Sequence, residues 1–216
     1  MPADFIILEC ANSNCLFRYP VSASSKFQNY CPRCKSPVRI ALEYNEHPAN
    51  NVLSTRTNVT SFSLLLDNLR SAYNVGSILR SADGFNISHI FLCGITATPE
   101  NPKISKTSLG AESTVSWSYS PNSRNTAQYL KENGSYLYGL ETGQKSHPIY
   151  EINKPNNILN KVLIVGNELA GIDPQVQELC DELIYIPMKG FKQSFNVTIA
   201  FGIAAFYLHY IDDLDK

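Results

Sequence analysis

Short apolar runs alternate along most of the chain with longer segments in which apolar residues recur every three or four positions. The short runs are predominantly apolar, and Val162–Val165 is apolar throughout, which is typical of strands buried on both faces of a parallel sheet. Trp117 and Tyr119 alternate with polar residues instead, which favours an edge strand. Five inner strands are predicted on this basis: Phe62–Leu66, His89–Ile95, Tyr136–Leu140, Val162–Val165 and Leu183–Ile186.

The segments between these strands carry helix signals. Val75, Ile78 and Ala82 recur at helical spacing, so one face of a helix after the first strand should pack on the sheet. Strands that alternate with helices predict a doubly wound α/β domain with a parallel sheet. Further helices are predicted at 125–133, 174–181 and 196–212.

The first 45 residues are organised differently, around cysteine. Two cysteine turns can supply four thiolates to a tetrahedral zinc ion, and the pattern resembles a zinc ribbon. Four cysteine ligands leave no open position, so a catalytic zinc is not expected. The alternative is four free thiols in a small core. The cysteines are Cys10 and Cys15, spaced by four residues, and Cys31 and Cys34, spaced by two.

Residues 46–60 are rich in Asn, Thr and Ser and have little apolar periodicity, so they are interpreted as a linker. We therefore expect a zinc-ribbon-like module at 1–45 and an α/β domain at 61–216.

Composition limits the class of protein. With 216 residues, of which 44% are apolar, the chain can bury about 70% of its unfolded surface. No apolar signal segment begins the chain, and its longest apolar run, Val197–Ile211, is shorter than the roughly 20 residues that span a bilayer. We expect a soluble, cytoplasmic protein with no membrane segment.

The net charge is −1, which weighs mildly against a nucleic-acid-binding protein that depends on a strongly basic surface. Residues 1–45 differ, because five basic and three acidic side chains make them locally basic. Four thiolates on one zinc ion would bring this module close to neutral.

Three polar segments lie where predicted strands end or a helix begins. Gly166–Gly171 follows one strand, Ile186–Gly190 follows the next, and Ser194–Asn196 precedes the last helix. In an open α/β sheet the ligand site lies beyond the carboxyl ends of the strands, where helix N-termini offer unpaired N–H groups. These segments alone predict a nucleotide-like or carboxylate-bearing ligand held by backbone groups.

The pattern GNE..G, then IPM.G, then S.N before an apolar helix resembles motifs 2 and 3 of the SpoU/TrmH group of SPOUT RNA methyltransferases. Upstream, DN.....N.G...R..D over Asp67–Asp83 matches motif 1, and Gly110–Glu112 resembles the connecting region. The resemblance covers residues 62–211. It implies a SPOUT-type parallel sheet with a deep C-terminal trefoil knot, formed by residues from about 160 to 200.

The same resemblance implies S-adenosylmethionine bound in a bent form and methyl transfer to a ribose 2′-hydroxyl of tRNA or rRNA. A guanidinium stays protonated, so we expect Arg80 to hold a phosphate and stabilise developing charge rather than act as a base. Phe195 stands where the family usually has Leu. The implied catalytic residues are Asn74, Arg80, Glu168, Ser194 and Asn196, and the implied cofactor-binding residues are Leu140, Thr142, Gly166, Ile186, Met188 and Phe195.

The final helix, 196–212, is apolar around most of its circumference, so we expect it to pack on its own sheet and on a partner subunit in a homodimer. Two alternatives come from other classes. One is a catalytically inactive RNA-binding protein on the same scaffold. The other is a Rossmann dinucleotide enzyme, although no GxGxxG follows the first strand of the α/β domain.

Overall fold

The computed structural model describes residues 4–25, 29–45, 61–152 and 159–214. The chain divides into two compact units, Met1–Arg56 and Thr57–Lys216. The predicted linker, 46–60, lies outside the described residues. No helix in the described ranges has the length and apolar character needed to cross a membrane.

The smaller unit contains a three-stranded antiparallel sheet in which β1 (Phe5–Cys10) lies between β2 (Arg18–Ser22) and β3 (Val38–Tyr44). Alternate side chains of β1 are buried, including Ile6 and Leu8. Strand β2 was not predicted, because its five residues, RYPVS, contain a proline and no apolar run.

The larger unit is built on a seven-stranded sheet with the order β6-β5-β4-β9-β7-β10-β8, and every neighbouring pair is parallel. This confirms the predicted α/β architecture. Its strands are β4 (Ser61–Asp67), β5 (His89–Cys93), β6 (Trp117–Ser120), β7 (Tyr136–Leu140), β8 (His147–Pro148), β9 (Asn160–Val165) and β10 (Glu182–Tyr185). Its helices are α1 (Ala72–Gly84), α2 (Ser105–Ser108), α3 (Ser123–Glu132), α4 (Pro174–Gln177) and α5 (Val197–Leu214).

Helices cover both faces of this sheet. Leu64 and Leu66 of β4 point to the face covered by α1 and α5, whereas Leu65 points to the face covered by α3 and α4. Successive side chains of a strand point to opposite faces, so an unbroken apolar run supplies both cores. This explains the unbroken apolar runs Leu64–Leu66 of β4 and Val162–Val165 of β9, two adjacent strands in the middle of the sheet.

Two predicted elements are shorter in the structure. Strand β5 ends at Cys93 rather than Ile95, because Gly94 has a φ of +62° and turns the chain. Helix α4 ends at Gln177 rather than Asp181, because Asp181 pairs with β7 instead. The Asp181 N–H donates to the Leu137 carbonyl, and the Asp181 carboxylate accepts from the Leu137 N–H. The trefoil knot implied by the family resemblance stays a prediction.

Candidate active site

A cavity of about 510 Å³ opens at the carboxyl edge of the sheet, where β7, β9 and β10 end beside the start of α5. This volume is typical of sites for small ligands and cofactors, and the carboxyl edge is where open α/β sheets bind them. Nine of the eleven residues implied as catalytic or cofactor-binding line it: Asn74, Leu140, Thr142, Gly166, Glu168, Ile186, Ser194, Phe195 and Asn196.

Glu168, in the loop after β9, is held by three hydrogen-bond donors at the start of α1. Its carboxylate accepts from the backbone N–H groups of Arg70 at 2.8 Å and Ser71 at 3.1 Å, and from Nδ2 of Asn74 at 3.0 Å. Partial burial raises the pKa of the Glu168 carboxyl, but these hydrogen bonds outweigh it and hold the pKa below its usual value. Glu168 is therefore a fixed anion.

Asn74 connects the first of the three motif segments to the last. Helix α1 is capped by the Ser71 hydroxyl, which accepts from the Asn74 N–H, so the Asn74 side chain is left for the cavity. Oδ1 of Asn74 lies 3.5 Å from Nδ2 of Asn196. Oδ1 of Asn196 in turn accepts from the Thr198 N–H at 2.9 Å, which caps α5. One series of polar contacts thus joins Glu168, Asn74 and Asn196.

The loop after β9 is too tightly folded to accept a side chain at its first residue. A Cβ on Gly166 would lie 2.3 Å from the carbonyl carbon of Gly171 and from the nitrogen of Ile172. Asn167 and Gly171 exchange two backbone hydrogen bonds of 2.9 Å, and Nδ2 of Asn167 donates to the Asn68 carbonyl. The cavity wall at Gly166 is therefore backbone held in a fixed position.

Glu141 at the end of β7 is a site residue that the sequence analysis missed. Its carboxylate accepts from its neighbour Thr142 N–H at 2.9 Å and from the Ile172 N–H at 2.8 Å. Gly171 has a φ of +74°, and a Cβ there would lie 2.2 Å from Oε2 of Glu141. The available signal was a carboxylate directly after an inner strand. Other lining residues were not singled out: Asn167, Leu169, Tyr185 and Gln193.

Arg80 and Met188 do not line the cavity. Arg80 is exposed on α1, and no hydrogen bond or ion pair joins it to any residue within the described ranges. Six helical residues advance the chain by about 9 Å and turn it by about 240°, so Arg80 cannot share a face with Asn74. Met188 is half-buried beyond the end of β10.

Four cysteine sulfurs of the smaller unit come together as the sequence predicts. The Sγ atoms of Cys10, Cys15, Cys31 and Cys34 all lie within 4.8 Å of one another. The closest pairs are Cys10 with Cys34 at 3.4 Å and Cys15 with Cys31 at 3.8 Å. Tetrahedral zinc with Zn–S bonds of about 2.3 Å separates its sulfurs by about 3.8 Å, so the cluster fits such an ion.

A family model for the SpoU rRNA Methylase family matches residues 61–206. Among curated proteins, the 23S rRNA (guanosine-2'-O-)-methyltransferase RlmB of Vibrio parahaemolyticus is 31% identical over 169 residues. The match covers 78% of this chain and 66% of that protein. The chain thus spans slightly less than two thirds of the length of this relative.

Two solved structures are similar in fold. A putative RNA methyltransferase of the TrmH family from Porphyromonas gingivalis has a TM-score of 0.61 at 27% identity, and the match covers 94% of this chain and 82% of that one. The AdoMet-bound rRNA methyltransferase from Sinorhizobium meliloti has a TM-score of 0.64 at 24% identity, and the match covers 70% and 56%.

Proposed function

Because this chain belongs to the SpoU rRNA methylase family, we propose that it transfers a methyl group from S-adenosylmethionine to a ribose 2′-hydroxyl of structured RNA, either rRNA or tRNA. The observation that carries the proposal is the convergence of all three motif segments on one cavity. Asn74, Glu168 and Asn196 come from distant parts of the chain, and their polar side chains contact one another there.

The cavity fits the cofactor in size and in the chemistry of its walls. Gly166 offers backbone groups that no side chain obstructs, and Phe195, with 37% of its surface exposed, offers an apolar face for an adenine. S-adenosylmethionine supplies, when bound, an electrophilic methyl group on a sulfonium. The residues that would hold it are Leu140, Thr142, Gly166, Ile186 and Phe195, with Met188 just outside the lining.

The chain's own polar groups would orient the acceptor. Glu168 is a fixed anion, so Asn74 is held with its amide donating to Glu168 and its oxygen facing Asn196. The hydroxyl of Ser194 lines the same cavity and can hydrogen-bond an acceptor hydroxyl. Alignment of donor and acceptor accounts for a large part of the rate of such a transfer. The 2′-hydroxyl also distinguishes RNA from DNA.

We assign Arg80 an electrostatic role. Its guanidinium stays protonated and is exposed, so it is accessible to a phosphate of bound RNA. In that position it would hold the substrate backbone and stabilise negative charge that develops on the acceptor oxygen.

A homodimer is proposed from the surface of α5. Ile199, Ile203 and Phe206 recur at helical spacing and expose 53%, 38% and 51% of their surfaces. The opposite face of α5 packs on the sheet through Phe201 and Leu208. An exposed apolar stripe of this kind is typical of a subunit interface.

We further propose one structural zinc ion per chain, bound by the four cysteines of the smaller unit. Leu16 and Lys35, which directly follow the second cysteine of each pair, have φ values of +50° and +62°. Each turn therefore has a residue in the left-handed conformation directly after its second cysteine. The sulfurs of the two turns converge on a common point.

Calorimetry and a methylation assay test the activity. The full chain should bind S-adenosylmethionine and transfer a labelled methyl group to unmodified rRNA or tRNA transcripts. Mass spectrometry of the digested RNA should find a 2′-O-methylated nucleoside. RNA binding without cofactor binding would favour the inactive RNA-binding alternative, and methylation on a base would overturn the proposed acceptor.

A further inference from the structure

The segment between β10 and α5 presents an unusually exposed aromatic side chain. Phe191 exposes 108% of its reference surface, the largest fraction among the exposed large apolar side chains of the described residues. A single exposed apolar residue is ordinary on a protein surface, so exposure alone carries little weight. The charged neighbours of Phe191 and its position beside the cavity indicate a binding role.

Two cations flank this phenylalanine. Lys189 and Lys192 are both exposed, and neither forms an ion pair with a described residue. The whole chain has a net charge of −1, so two unpaired cations around an aromatic side chain are a local departure from its charge balance. We call Lys189–Lys192 the basic aromatic loop.

The basic aromatic loop continues directly into the wall of the cavity. Gln193, Ser194 and Phe195 line that cavity. Three residues of extended chain span at most about 11 Å, so Phe191 lies within one or two nucleotides of any ribose that reaches Ser194.

We propose that Phe191 is a stacking platform for an unpaired base of the RNA substrate, with Lys189 and Lys192 holding the phosphates beside it. The inference rests on the proposed RNA methylation and deepens it. A base inside a duplex has both of its faces covered by neighbours, so only an unpaired or extruded nucleotide can stack on a side chain. The substrate class is therefore RNA that is unpaired, in a loop, bulge or single strand, at or within one or two nucleotides of the methylated ribose.

Charge complementarity favours RNA over other occupants of this surface. A positively charged track with interspersed aromatic side chains is the usual means of binding single-stranded nucleic acid. A second copy of the chain is disfavoured, because it would bring a second pair of lysines against the first. S-adenosylmethionine is disfavoured, because Phe191 would have to fold inward over the cavity to contact it.

A tryptophan at position 191 reports which occupant covers it. The chain has one tryptophan, Trp117, so Phe191→Trp in a Trp117→Phe background gives a single fluorophore. The probes are a twelve-nucleotide oligouridylate and the same strand annealed to oligoadenylate. We expect quenching by the single strand and much less by the duplex. Quenching by S-adenosylmethionine alone, or by raising protein concentration alone, would overturn the proposal in favour of a cavity lid or a subunit contact.

Affinity provides an independent measurement. Phe191→Ala should weaken binding of the oligouridylate by about five- to a hundredfold, whereas Phe191→Trp should retain it. Tyr129→Ala is the matched control, because Tyr129 is an aromatic residue with 63% exposure on α3, across the sheet from α5. It should bind like the parent.

Salt dependence tests the two lysines. The double variant Lys189→Ala/Lys192→Ala should lower the slope of log affinity against log salt by about 1.4, since each phosphate contact on a single strand contributes about 0.7. Arg124→Ala, an exposed cation on α3, should leave the slope unchanged.

The outcomes separate this inference from the proposed function. A parent chain that methylates RNA but binds the single strand no better than Phe191→Ala does would overturn the stacking role alone. A parent chain that shows the expected stacking but neither binds S-adenosylmethionine nor methylates RNA would overturn the proposed activity alone.

Discussion

The carboxylate of Glu141, at the end of β7, accepts a hydrogen bond of 2.8 Å from the backbone N–H of Ile172, in the loop after β9. The same carboxylate accepts from the Thr142 N–H, so one side chain fixes two loops that border the cavity. The absence of a side chain at Gly171 makes this approach possible, because a Cβ there would collide with Oε2 of Glu141.

Glu141→Gln should therefore weaken S-adenosylmethionine binding about tenfold while the fold is retained. A glutamine has a single oxygen acceptor, and its amide nitrogen would face one of the two backbone donors. A hydrogen bond to a charged group contributes about 1.5–3 kcal/mol, of which part is regained by loop adjustment. Calorimetry measures the affinity. Glu178→Gln, an exposed carboxylate after α4, is the control, and equal affinities for the two variants would contradict the role of Glu141.

Glu168→Gln should lower thermal stability at pH 7 by a few degrees, because three donors lose a charged acceptor. The Glu168 pKa is lowered by folding, so its charge stabilises the protein above the unfolded pKa near 4.5, and this contribution is lost as pH falls through the folded pKa. The difference in Tm between parent and variant should thus shrink below about pH 4.5. Calorimetric scans from pH 7 to pH 3 test this, and a constant difference would argue against it.

Arg80→Ala should fold and bind S-adenosylmethionine like the parent, because Arg80 lies outside the cavity lining. Methyl transfer should fall by orders of magnitude if the guanidinium contacts the acceptor. Arg80→Lys keeps the charge but loses the planar fork, so substantial rescue would indicate a role for charge alone. Single-turnover methylation under saturating cofactor measures both variants. Near-parental rates for Arg80→Ala would remove Arg80 from the site.

Elemental analysis should find one zinc ion per chain. Cys31→Ser should abolish stoichiometric zinc, since Cys31 is fully buried within the sulfur cluster. Cys180→Ala is the control, because Cys180 is partly buried against the core of the larger unit. We expect the zinc-free variant to bind RNA more weakly and S-adenosylmethionine unchanged. A parent chain without zinc that keeps a protected amide core at its N-terminus would refute a structural metal.

Phe206→Glu should convert a dimer to a monomer, because it places a charge in the exposed apolar stripe of α5 formed by Ile199, Ile203 and Phe206. Light scattering should give the parent a mass of twice 24.1 kDa and the variant a mass close to 24.1 kDa. Tyr129→Glu changes a more exposed aromatic residue on α3 and should leave the mass unchanged. A monomeric parent at micromolar concentration would end the dimer proposal.

The sequence predicted the inner strands because burial on both faces requires apolar runs, such as Leu64–Leu66 of β4 and Val162–Val165 of β9. It did not predict β8, because two residues, His147 and Pro148, are enough to extend a parallel edge and carry no apolar pattern. Glu141 was missed for a related reason. Its function depends on a backbone N–H thirty-one positions away, and no local pattern reports such a contact.

Arg80 illustrates a different limit of prediction from the sequence. Helical periodicity correctly separated Arg80 and Asn74 from the buried stripe of α1. Periodicity does not state on which side of that stripe each residue lies. The structure does so, and it leaves Asn74 at the cavity and Arg80 in solvent.

The position of β9 between β4 and β7 has a consequence for synthesis of the chain. Nδ2 of Asn167 bonds the carbonyl of Asn68 across 99 residues, so β4 has no central partner until that length has been translated. At about 5–20 residues per second, the delay lasts on the order of 5 to 20 seconds. During that interval β4 presents an apolar strand with an open hydrogen-bonding edge to other nascent chains. The period in which this edge is open to such contacts closes when β9 leaves the exit tunnel.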